Sequence, residues 1–101
     1  MPIKPSPKKR QIINKAFDKA FELGADDFWV STHKTKALAQ DTAKILNDAG
    51  FNAEVGFTRG ILGVKSGQDF GVFIKDFDLK NAKKICENLG GEFGDLGSCQ
   101  F

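Results

Sequence analysis

Few residues in this chain are equipped for chemistry. His33 is the single imidazole among 101 residues, and Ser31 precedes it by two positions on an alternating run, which puts both on one side of a strand. A hydroxyl beside an imidazole is the beginning of a nucleophile and base pair, but a third group must orient the ring, and no carboxylate is spaced to do so. His33 is therefore read as a solvent-facing or helix-capping residue. Asp26-Asp27 and Asp76-Asp78 fall at strand and helix boundaries, where capping accounts for them. One histidine and scattered carboxylates make no metal set. Cys86 and Cys99 form neither a CxxC pair nor part of a zinc set, so buried or free thiols are expected rather than a disulfide. The chain is expected to be non-catalytic, with no cofactor and no metal.

Recognition is a better use of the remaining residues. The stretch RGILGVKSG combines glycines with Arg59, Lys65 and Ser66, but Val64 separates Gly63 from Lys65 and no helix follows to offer its N-terminus, so it is not a Walker A loop. It reads as a hairpin connection whose Arg59, Ile61, Leu62 and Lys65 could touch a protein partner, Ile61 and Leu62 being sticky if exposed. The arm PIKPSPKKR brings Lys8, Lys9 and Arg10 together, a few phosphate contacts at most. Ser-Pro-Lys-Lys resembles short motifs that follow the DNA minor groove.

The elements that must position these residues can be read in order. PIKPSP, with three prolines in six residues, is an extended lead-in over 1–6. Ser6 caps and Pro7 opens a helix over 7–23, with Ile13, Ala16, Phe17, Ala20 and Phe21 as its apolar stripe and Gly24 as its stop. The segment Phe28 to Gly56 then reads as strand, helix, glycine and strand. Phe70 to Lys75 alternates again, and Asp78 can cap a last helix carrying Leu79, Ala82, Ile85, Cys86 and Leu89. A short fourth strand is placed at Glu92 to Leu96. These elements give one domain over 7–101, with a βαββα(β) body over 27–97. The expected fold class is α+β, a ferredoxin-like antiparallel sandwich with an extra N-terminal amphipathic helix.

Alternation assigns faces. With Phe28, Val30, Phe70, Val72 and Ile74 toward the helices, Trp29, Ser31, His33, Gly71, Phe73 and Lys75 face away, joined by Asn52, Glu54 and Gly56. Trp29 and Phe73 with Lys75 would make a stacking platform for single-stranded nucleic acid, His33 and the basic arm adding to it. The first helix, however, needs an apolar surface, and the other face is taken by the later helices. It is therefore expected to cover Trp29 and Phe73, and a covered platform cannot stack bases, whereas one left open would put a nucleic-acid strand ahead of a protein as the expected ligand.

Composition sets the outer bounds. Hydrophobic residues make up 41% of the chain, with ten phenylalanines, enough for one core. The net charge is only +2, yet residues 1–20 hold six cations against one carboxylate, leaving the rest net negative. No apolar run approaches the roughly 18 residues of a membrane span, and the first ten residues lack the apolar region of a signal peptide. A soluble cytoplasmic protein is expected.

Two families share this fold and resemble stretches of the chain. Phe28-Trp29-Val30-Ser31-Thr32 and Phe70-Gly71-Val72-Phe73-Ile74 resemble the first- and third-strand segments of the RNA-recognition motif, which implies single-stranded RNA or DNA binding. Gln68-Asp69 stands where that family has Lys/Arg-Gly. LAQDTAKILNDAGFNAEV and FIKDFDLKNAKKICENL are similar to SPOR domains, which implies peptidoglycan binding. The function expected first is a non-catalytic binding protein, an adaptor or inhibitor with a protein partner. By analogy of size and absent chemistry, it compares with phage-type inhibitors of nucleic-acid-handling machinery such as anti-CRISPRs. The alternative is the nucleic-acid-binding module.

Overall fold

In the computed structural model, which describes residues 6–24, 26–58, 67–94 and 99–100, the first helix, α1 (Pro7–Leu23), starts where its local signals lie. The Ser6 hydroxyl accepts from the Lys9 amide at 3.5 Å, and Pro7 takes the first helical position, where a missing N–H costs nothing. Gly24 ends it in a left-handed conformation, its amide bonded to the Ala20 carbonyl. Strand β1 (Phe28–His33) leads to α2 (Lys36–Ala49), capped by Thr35, whose Oγ1 accepts from Leu38 N at 3.2 Å. Asn47 near the end of α2 clamps the start of β2 (Ala53–Phe57): its side chain exchanges hydrogen bonds of 3.0 and 2.8 Å with the Ala53 backbone.

Strand β3 (Phe70–Ile74) lies between β1 and β2 and runs antiparallel to both. A 3-10 turn (Leu79–Asn81) and the short helix α3 (Ala82–Asn88) follow. Asp78 caps the turn, accepting from Lys80 N at 2.8 Å, and Asp27 holds the preceding bend by accepting from Asp76 N at 2.9 Å. Of the boundary carboxylates, Asp78 thus caps locally, as its position in the sequence suggests, whereas Asp27 makes a tertiary bond.

The apolar side of the sheet, Phe28, Val30, Val72 and Ile74, is buried under helices. Phe17 of α1 is the hub: its ring meets Phe51 edge-on at 5.1 Å and Phe77 at 6.1 Å, and Phe77 meets Phe28 at 6.1 Å. Full burial of one such ring stabilises by about 2–3 kcal/mol.

This arrangement overturns the expectation that the first helix covers Trp29 and Phe73. Helix α2 leans on β2 and β3, and α3 packs chiefly against the C-terminal strands, so the apolar side of β1 is left for α1. Ile13, Ala16, Phe17 and Ala20 are buried there, in the same core as Phe28 and Val30 and on the opposite side from Trp29.

Two further expectations are corrected. The strand predicted at Glu92 is present as β4 (Glu92–Phe93), but it pairs with β5 (Cys99–Gln100) in a separate two-stranded ladder and does not extend the main sheet. That ladder folds the chain back, so that Cys99 meets Cys86 on α3 with Cα atoms 5.6 Å apart. The two cysteines form a disulfide instead of remaining thiols. Among the described residues no helix is long and apolar enough to cross a membrane.

Candidate functional site

The sheet face turned away from the helices is built around one indole. Trp29 starts on β1, and its benzo edge lies across Gly71 of β3 and reaches Gly56 of β2. A methyl group added at Gly71 would sit 2.7 Å from Cζ3 of Trp29, and one at Gly56 3.1 Å from Cη2. Gly56 and Gly71 are direct partners in the ladder, so together they form a trough that spares the ring a side chain on either strand. Phe73, paired with Trp29, holds its ring 5.0 Å from the indole at a tilt of 58°. The other end of the trough is closed by polar contacts. Thr58 is buried and its hydroxyl donates to the Gln68 carbonyl, while the Thr32 hydroxyl donates to Gln68 Oε1.

Charge beside the aromatic pair is, among the described residues, net negative. Lys75 Nζ lies 3.0 Å from Glu54 Oε2, and both side chains are about half exposed. That hydrogen bond and the carboxylate's charge raise the Lys75 pKa, with Asp76 and Asp27 adding to the effect. Among the described residues, one cation therefore sits among three carboxylates beside the aromatic pair.

Ser31 and His33 are not on this face. The ladder shifts register between Trp29 and Ser31, so that Ser31 rather than Val30 stands opposite the inward-facing Val72, and His33 stands opposite Phe70. This β-bulge reverses the alternation, which is why a period of two misassigns both side chains. They point into a pocket between α1, β1 and α2, where the hydroxyl of Ser31 and Nε2 of His33 are 2.8 Å apart. Burial first, and then the charge of Lys15, hold the His33 pKa below the ordinary 6.5. With the ring neutral, Ser31 can donate to it, but among the described residues no carboxylate is hydrogen-bonded to the imidazole. The pair lacks the orienting group that nucleophilic catalysis needs. No group of three histidine, cysteine or acidic side chains that could hold a metal occurs among the described residues.

The nucleic-acid set drawn from the sequence is thus divided. Trp29, Phe73 and Lys75 share the open face, whereas His33 lies on the helical side with Lys8, in the pocket it shares with Lys15. Lys9 and Arg10 belong to the same helical turn as Lys8 on α1. The partner-contact set Arg59, Ile61, Leu62 and Lys65 lies outside the described residues. Residues that the sequence reading passed over are Gly56 and Gly71 as the seat of the indole, and Lys15 and Asp41 at the pocket rim. Glycine inside two alternating strands was the available signal for the first pair. The second pair carries no local signal, since it depends on how α1 docks beside α2.

Compared with protein families, curated proteins and solved structures, the chain matches none.

Proposed function

We propose that this chain is a non-catalytic binding protein, an adaptor or inhibitor, that takes a protein partner on the open face carrying Trp29 and Phe73. The reading rests on one observation: an aromatic pair, on a sheet face that none of the described helices covers, is bordered by carboxylates that engage Lys75, the one lysine placed beside it among the described residues. Large rigid rings are efficient anchors for a protein partner. Phosphates need free cations, and here Lys75 is engaged by Glu54 while the other basic residues of the set lie on the far side of the sheet. The fold that accompanies this reading is a ferredoxin-like βαββα body with α1 added, supported by the order β1-β3-β2 with β3 antiparallel to both neighbours. A phage-type inhibitor would be one form of such a protein.

That half-exposed pair of rings, which no described helix covers, also favours the second reading, a single-stranded RNA or DNA binder. Tryptophan fluorescence separates the two, because Trp29 is the only tryptophan. Titration with a mixed-sequence oligonucleotide at low salt is expected to leave the emission unchanged up to about tens of micromolar. Saturable quenching that Phe73→Ser, which keeps the Trp29 reporter, weakens would reverse the order of the readings. The protein reading itself expects a partner recovered from lysate by the wild type and lost with Trp29→Ser/Phe73→Ser. Equal recovery by both would count it out.

A further inference from the structure

The helical side of the sheet carries a second cavity that the open-face reading does not use. Between α1, β1 and α2 lies a pocket of about 310 Å³, at the lower end of the range for small-molecule sites. Its walls are apolar: Ile12 from α1, Val30 from β1, and Leu38 and Ile45 from α2. Leu38 is 51% exposed, although Ala39, Thr42 and Leu46 of the same helix are buried, so the lining is incompletely covered.

The rim is charged. Lys8 and Lys15 stand two turns apart on α1 and line the same pocket, and Asp41 lines it from α2. Among the described residues the ion pairs are Lys75 with Glu54 and Lys83 with Glu87, so neither rim lysine is paired and Asp41 neutralises neither. The bulge of β1 adds the Ser31 hydroxyl and an imidazole that is uncharged at neutral pH, giving hydrogen-bonding groups without a further fixed charge. An apolar hollow with two ammonium groups on one rim, neither in an ion pair with a described residue, has the polarity of an amphipathic anion, reversed.

We propose that this pocket binds a small amphipathic monocarboxylate, with its apolar body against Val30, Leu38 and Ile45 and its carboxylate at Lys8 and Lys15. The single negative charge follows from Asp41, which repels a second one. A zwitterion such as an apolar amino acid would instead draw on Asp41 through its ammonium group, and the two classes differ in the sign of that residue's effect.

The test is a titration of the ¹⁵N-labelled protein with 4-phenylbutyrate, followed by amide shifts. Saturable shifts at Val30, Ser31, Leu38 and Thr42 are expected in the millimolar range or below. Leu38→Gln and Lys15→Gln, both at exposed positions, should each weaken binding about threefold, and Asp41→Asn should tighten it by a similar factor. 4-Phenylbutanol, which has the body without the charge, should bind more weakly than the acid. The proposal is overturned by shifts that do not saturate up to about 20 mM, by shifts centred on exposed Phe57 and its neighbour Phe70, or by equal binding of the alcohol. Weaker binding in Asp41→Asn, together with tighter binding of phenylalanine than of phenylbutyrate, would replace the monocarboxylate with a zwitterion.

Discussion

The two sides of the three-stranded sheet reach their final form by opposite means. On the helical side, Phe28, Val30, Val72 and Ile74 disappear beneath α1 and α2, and phenylalanines at 17, 28, 51 and 77 interlock, Phe51 stacked on Phe77 and the other contacts edge to face. On the other side, side chains are removed at Gly56 and Gly71 so that a single indole can cross from β1 toward β2. The first side is closed by added bulk from other elements, and the second by one residue lying over bare backbone. A face of the second kind keeps aromatic surface within reach of a partner, whereas a face of the first kind commits it to the core. The comparison also explains why a strand so short can serve both sides: one bulge after Trp29 sends Ser31 and His33 to the helical side and leaves Thr32 on the open side.

The contrast is broken most directly by truncating the central ring of each side. Phe17→Ala should cost about 3–5 kcal/mol in denaturant unfolding, because Phe17 is fully buried. Trp29→Ala, at a half-buried position, should cost clearly less. Equal losses would make the open side a second core and withdraw it as a docking surface. Next in size is the disulfide, which ties α3 to the C-terminal ladder beside the helical layer and spans 13 residues. Cys86→Ala/Cys99→Ala should lower stability by about 2–3 kcal/mol while leaving the Trp29 emission maximum in place, since the bond lies on the other side of the sheet. Gly71→Ala sharpens the comparison from the open side. Its methyl group would stand 2.7 Å from the indole and 2.8 Å from Cγ2 of Thr58, so a shift in Trp29 emission and a loss of about 1–2 kcal/mol are expected. Gly56→Ala, at 3.1 Å, should do less.

The smallest effect is that of pH. The folded-state pKa of His33 lies below the ordinary 6.5, so between the two values the unfolded chain binds more protons than the folded one. The contribution of His33 is present above about 6.5 and is lost as pH falls through the lowered folded value. Thermal midpoints at about pH 7.5 and about pH 5.5 should therefore differ more in the wild type than in His33→Gln. An identical difference in the two would place the imidazole in water, away from the pocket.

Much of the fold was legible because the signals involved are local. Ser6 with Pro7, Gly24 and Gly50 mark helix ends through backbone chemistry within one turn, and α1 (Pro7–Leu23) runs over the residues expected of it. Asp78 was recognisable as a cap for the same reason. The inward set Phe28, Val30, Val72 and Ile74 followed from alternation. Less of the site was legible. Trp29, Gly71 and Phe73 were correctly placed together, but Ser31 and His33 were assigned to the wrong side, since the bulge exists only in the pairing of β1 with β3. The disulfide was missed because two cysteines 13 apart give no hint of the hairpin that joins them.

By itself, then, the chain determined the ends of α1, the places of α2 and the three sheet strands, and most of the residues that must leave water, because capping, chain stiffness and hydrophobic period act over a few residues. Which surface receives α1, which side of the sheet receives His33, and whether the two sulfur atoms meet were decided only by tertiary structure. An apolar stripe carries the need for burial but no address, and the address depends on which neighbouring surfaces the other elements have already filled.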